Sequence, residues 1–104
     1  MKVLVTDRTG STPRRVQAYA RRKLEQLGRH FDVLTEGEVE FATDSRRSQT
    51  PIHVVDLTVR GVASDLPAVR AHGSGHDLIA VVDSTLDLLD RDVRKLKEEV
   101  TSHP

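Results

Sequence analysis

The stretch HDLIAVVDSTLDLLDRDVRKLKEE, residues 76–99, decides the fold. Leu78, Val82, Leu86, Leu89, Val93 and Leu96 recur at steps of four, four, three, four and three, the most regular periodicity in the chain. That spacing predicts an α-helix with one apolar stripe, beginning at His76 or Asp77 and ending near Glu99. Asp77 stands at the positive end of the helix dipole, and Arg94, Lys95 and Lys97 stand near the negative end. A helix this amphipathic must lay its stripe on another layer, so the rest of the chain has to supply that layer.

Upstream, Gly73-Ser74-Gly75 reads as a flexible joint and Ala68–His72 as a strand. Gly61–Pro67 reads as a connecting turn. A further strand spans Ile52–Arg60, with Ile52/Val54 and Val55/Leu57/Val59 on opposite parities, which a bulge near Val54-Val55 would reconcile. Residues 44–51 form a polar loop. Residues 37–43 alternate, with Val39, Phe41 and Thr43 on one side, as a strand with one wet face does.

The N-terminal third repeats the logic. Val3 and Val5 mark a short strand over residues 2–6, and Arg8-Thr9-Gly10 a turn. Ser11 or Thr12 fits an N-cap, followed by Pro13 in the first helical turn. Val16, Ala20, Leu24, Leu27 and Phe31 form a second helical stripe over residues 13–31, with Gly28 as a weak point or a place of close approach. The expected architecture is α+β, of order β-α-β-β-β-α. Both helices pack on one face of a four-stranded sheet, and short links suggest an antiparallel meander.

The chain has 104 residues, which suits one domain over 1–104, with 100–104 frayed. It contains no cysteine, which excludes disulfides and thiolate metal sites and suits a reducing cytoplasm. No segment approaches the roughly 18 apolar residues of a membrane helix. Formal net charge is zero, so any grip on nucleic acid has to come from a local patch.

Helical projection shows two such patches. Arg15, Arg22 and Arg29, seven residues apart, fall nearly in line on the side of the first helix away from its stripe. Tyr19, Lys23 and His30 lie between that line and the core edge. Arginine offers a planar fork of donors that matches phosphate oxygens. On the second helix Ser84, Leu88, Arg91 and Lys95 face outward, with Arg94 and Lys97 elsewhere near the same end. Asp87, Asp90, Asp92 and Glu98 dilute this second patch, and Asp87–Arg91 and Asp90–Arg94 are spaced as i,i+4 pairs. Charged outer faces are commonly only solvated faces, and Arg14, Arg21, Arg46 and Arg47 are read that way. Tyr19 suits either the core margin or stacking on a base.

Three blocks carry a resemblance. Residues 22–32, RKLEQLGRHFD, are similar to a Lys-Leu…Leu…Phe-Asp helix end. Residues 75–83, GHDLIAVVD, are similar to a Gly-x-Asp helix start followed by apolar pairs around Ala. Residues 89–97, LDRDVRKLK, are similar to a Leu-x-Arg-x-Leu-x-Lys-x-Lys ending. In this order and spacing they resemble the short ribosome hibernation-promoting factors and ribosome-associated inhibitor A. The resemblance implies a fold related to double-stranded RNA-binding domains. It also implies a cytoplasmic protein that occupies the messenger and transfer RNA cleft of the small ribosomal subunit, blocks translation under stress or slow growth and preserves inactive ribosomes. It implies no cofactor, no catalysis, no small-molecule substrate and a monomer when free. By position it assigns contacts with ribosomal RNA to Lys23, Arg91, Lys95 and Lys97. The helical projection adds Arg15, Arg22 and Arg29.

The sequence departs from that family where Leu88 replaces a usual Lys, where Asp90 and Asp92 replace neutral positions, and in a longer hairpin around Val62–Pro67. The chain stops after the second helix, so pairing of ribosomes through an added C-terminal domain is not expected. Two rival functions remain. Leu88 or the open sheet face suits a protein-interaction module. His72, His76 and Asp77, with His53, could hold zinc in a small metal-dependent enzyme, although a Gly-Ser-Gly joint spoils the i,i+4 convergence. Ser11, Ser48 and Ser84 have no base partner in a recognisable catalytic motif.

Overall fold

A computed structural model describes residues 1–45, 50–61 and 67–101. Arg46, Arg47 and Ser48, hairpin residues 62–66 and tail residues 102–104 therefore lie outside the described residues. The elements are β1 (Lys2–Asp7), α1 (Arg14–His30), β2 (Leu34–Asp44), β3 (Ile52–Gly61), β4 (Val69–Gly75) and α2 (Leu78–Thr101). This is the expected β-α-β-β-β-α order, with α2 continuing into the segment expected to fray.

The four strands form one sheet in the order β1-β2-β3-β4. β2, β3 and β4 make the expected antiparallel meander. β1 instead runs parallel to β2, from Lys2↔Glu36 to Asp7↔Phe41. The intervening α1 carries the chain back to its starting edge, as a parallel neighbour requires. Directly paired residues share a face, so Val5, Val39, Leu57 and Ala71 line up across the core side. Val3, Gly37, Val59 and Val69 make the next row. Val16, Ala20, Leu24, Leu27 and Phe31 of the first stripe are buried against this face, as are Val82, Leu89 and Val93 of the second. Leu78 and Leu86 pack at its margin.

Three further expectations are corrected. β3 has no bulge at Val54-Val55; its pairing runs unbroken from Asp44↔Ile52 to Glu36↔Arg60, and the irregularity falls in β2 between Leu34 and Glu36. Ile52 and Val54 keep the open-face parity and line a shallow pocket there with Ala42, His72 and Ser74. Neither Ser11 nor Thr12 caps α1. Pro13 holds the cap position and its carbonyl accepts from the Val16 and Gln17 amides, while Thr12 turns back to Asp7.

Gly73-Ser74-Gly75 is the end of β4 and not a joint. A Cβ on Gly73 would overlap the Thr85 hydroxyl, and one on Gly75 would lie 3.0 Å from Val81 Cγ2. These glycines let α2 sit directly on the strand. Gly37 does the same for α1, where a Cβ would lie 2.9 Å from Leu24 Cδ2. At Gly28 the close neighbour is Met1, whose Cβ would lie 2.8 Å from an added Cβ.

Candidate nucleic-acid interface

The fold sorts charge that the composition balances. α1 carries Arg14, Arg15, Arg21, Arg22, Lys23 and Arg29 against a single acid, Glu25. β2 carries Glu36, Glu38, Glu40 and Asp44 and no cation. Val39 and Phe41 point into the core, so Glu36, Glu38 and Glu40 face the other way, on the sheet side opposite the helices. On that side Arg8 pairs with Glu40 at 2.6 Å and His72 with Asp56 at 2.7 Å. A neutral chain thus has a basic helix on one surface and an acidic strand on the other.

The helices run in the same direction. Near their starts the Tyr19 hydroxyl donates to Asp83 Oδ1 at 2.5 Å. Near their ends the cationic groups of Arg94 and Lys97 lie 5.6 and 5.5 Å from the Phe31 ring centre. Between these contacts runs a shallow groove whose walls include Lys23, Gln26 and His30 on α1 and Leu86, Asp87 and Asp90 on α2.

Arg15, Arg22 and Arg29 are all exposed on the outer side of α1, as the projection requires. Arg22 and the half-buried Lys23 hold their charges 5.8 and 5.6 Å from the Tyr19 ring centre. The ring faces draw these cations in and limit their wandering. The hydrogen bond to Asp83, aided by burial, pushes the Tyr19 phenol above its ordinary pKa, although nearby Arg22 acts the other way. Tyr19 is therefore a tie between helices and a seat for two cations.

On α2, Arg91 and Lys95 are exposed on the outer side beside Leu88, itself 42% exposed. Lys97 does not share that line, because it turns toward Phe31 on the flank facing α1. Asp90 pairs with Arg94 at 2.7 Å. The Asp87–Arg91 pair does not form among the described residues, which leaves Arg91 turned to solvent. The structure thus divides the seven sequence-chosen cations among the α1 outer line, the α2 outer line and the interhelical groove.

Sequence reasoning missed three contributors. Asp83 has a partner 64 residues away, so nothing local marks it. Phe31 was read only as core, yet its ring face carries Arg94 and Lys97. Arg21, read as a solubility residue, donates to the Val3 carbonyl at 3.3 Å on β1. For the zinc alternative, His72 is engaged with Asp56 on the open face. His53 has the parity of Val55 and points to the other side. Among the described residues no three His, Asp or Glu side chains converge as a metal cluster.

The molecule is a two-helix, four-stranded α+β domain with an exposed basic line on its first helix. The chain belongs to the sigma 54 modulation protein / S30EA ribosomal protein family, whose pattern it matches over residues 3–101. Solved structures agree on the fold. A ribosomal subunit interface protein from Coxiella burnetii superposes with a TM-score of 0.76 at 18% identity, covering 93% of this chain and 98% of that one. The Protein Y N-terminal domain from Thermus thermophilus superposes with a TM-score of 0.71 at 20% identity, covering 91% and 98%. No match is found among curated proteins. No helix among the described residues is long and apolar enough to cross a membrane.

Proposed function

We propose that this protein binds the small ribosomal subunit along its helical layer and silences it during stress or slow growth. The observation that carries this reading is the exposed Arg15–Arg22–Arg29 line, with Lys23 beside it, on a chain whose net charge is zero. A cation line held on a rigid helix presents phosphate donors at fixed spacing. Arg91 and Lys95 extend the surface onto α2, and Lys97 reaches it from beside Phe31. The mechanism is occupancy. The helices lie against ribosomal RNA where messenger and transfer RNA would bind, and no cofactor or bond-making step is involved. The free protein acts as a cytoplasmic monomer.

Co-sedimentation with purified small subunits at low and high salt tests this. Binding weakens with salt, with a log–log slope of about 0.7–0.9 per phosphate contact. Charge reversal at Lys23, Arg91 and Lys95 abolishes pelleting. Absence of wild-type pelleting removes the ribosomal reading. Unchanged binding by the reversed variant removes the residue assignment. Exposed Leu88 supports a second reading, an apolar protein contact, and binding through it hardly responds to salt.

A further inference from the structure

The interhelical groove lies at the centre of the basic layer, yet one wall is acidic. Its cavity volume is about 160 Å³, on a measure where one water occupies about 10–15 Å³, so a phosphate group with some of its water fits. Lys23 and His30 on the α1 wall would make it a ready seat for any RNA backbone.

The acids of the α2 wall do not all have the same occupation. Asp83 accepts from Tyr19, and Asp90 holds Arg94. Asp87 is exposed and makes no hydrogen bond or ion pair with any described residue, even with Arg91 four positions on. An exposed, unpaired carboxylate adds little to folding. Its effect is on the field in the groove. A phosphate about 6 Å from it would bind roughly three- to tenfold more weakly, for an effective dielectric between about 40 and that of water.

We propose that Asp87 is a specificity-determining residue, a charge filter that keeps generic RNA backbone out of the groove between α1 and α2. This rests on the RNA-binding reading above and deepens it. With phosphate disfavoured in the groove, tight binding needs an RNA surface that meets the outer line of α1 and the Arg91–Lys95 line of α2 together, and only an RNA held by both lines reaches Lys23 as well. A folded RNA of fixed shape can do that, whereas an arbitrary duplex contacts one line at a time. Specificity then comes from a repulsive element set among attractive ones.

The test compares wild type, Asp87→Asn and Glu36→Gln. Glu36 is an exposed acid on the opposite sheet face, so its replacement changes net charge equally in the wrong place. Each protein is titrated with a fluorescent RNA duplex of arbitrary sequence, and separately with purified small subunits, at about 50 and 200 mM salt. Asp87→Asn should tighten duplex binding about three- to tenfold at low salt, with less gain at high salt. Small-subunit affinity should change less than about twofold, and Glu36→Gln should leave both near wild type. The proposal is overturned if Asp87→Asn leaves duplex binding unchanged, tightens both ligands equally, or is matched by Glu36→Gln. If wild type fails to bind small subunits, the ribosomal reading falls, and the duplex arm still decides whether Asp87 guards the groove. Thermal melts of both variants confirm that each is folded.

Discussion

The Tyr19 hydroxyl on α1 and the Asp83 carboxylate on α2 are joined by a 2.5 Å hydrogen bond across 64 residues of chain. Tyr19 is the sole tyrosine and there is no tryptophan, so phenolate absorbance reports this contact alone. The accepting carboxylate holds the phenol neutral and pushes its pKa up. A raised folded pKa means that the contribution to stability is fully present below the unfolded value of about 10 and is lost as pH rises through the folded one. In a spectrophotometric titration, Asp83→Ala should bring the midpoint back toward 10. Tyr19→Phe should cost about 0.5–1 kcal/mol near neutral pH.

Gly73 separates the two meanings of glycine. Were residues 73–75 a joint, Gly73→Ala would stabilise the fold by restricting the unfolded chain. Because a Cβ there overlaps Thr85, denaturant melts should instead show a loss of about 1–3 kcal/mol. Ser74→Ala, on the open face, should be near neutral. Adding Thr85→Ala to Gly73→Ala should recover part of the loss, and additive losses would refute the contact.

Asp7 anchors the entry to α1. Burial alone raises its pKa, but the amides and hydroxyls of Thr9 and Thr12 donate to its carboxylate and together hold it below the ordinary value. The resulting stability is present above the unfolded pKa of about 3.9 and is lost as pH falls through the lowered folded value. Asp7→Asn should cost about 1 kcal/mol at neutral pH, as loss of a capping acceptor does. The difference from wild type should vanish at the acid end of the melt series.

Arg21 covers an edge. The Arg8 amide bonds to Phe41, so the even-numbered backbone groups of β1 face β2, and the backbone groups of Val3 and Val5 point to the open edge while their side chains stay on the core face. The Arg21 guanidinium occupies the outward Val3 carbonyl. Unprotected strand edges invite pairing with another chain. Arg21→Ser should show concentration-dependent association by sedimentation velocity where wild type does not, with stability changed by less than about 1 kcal/mol.

Arg91 and Lys97 should separate binding from packing. Among the described residues Arg91 is exposed and makes no hydrogen bond or ion pair, so Arg91→Ala should weaken ribosome pelleting and leave the melting temperature near wild type. Lys97 lies on the Phe31 ring, so Lys97→Ala should weaken pelleting and lower stability by about 0.5 kcal/mol as well.

Much of this molecule is local in origin. Both helices, their buried stripes and the exposed Arg15–Arg22–Arg29 line follow from residue spacing, because helical geometry fixes which side chains share a face whatever surrounds them. The wet face of β2 follows in the same way from alternation. The family resemblance lay in contiguous blocks and was equally legible. Where two local rules competed, sequence reading failed. Ile52 and Val54 looked like core residues out of register, and glycines beside a helix start looked like a hinge.

Tertiary structure decided whatever depends on residues far apart in the chain. It placed β1 parallel to β2, turned Gly73 and Gly75 into a floor for α2, and set the two helices side by side in one direction. That last arrangement chose the flanks that meet. It tied Tyr19 to Asp83, drew Lys97 to Phe31 and left Asp87 in the groove without an ion-pair partner among the described residues. A periodic pattern determines a helix's faces, but only the packing of one helix against another determines which flank meets its neighbour and which meets solvent.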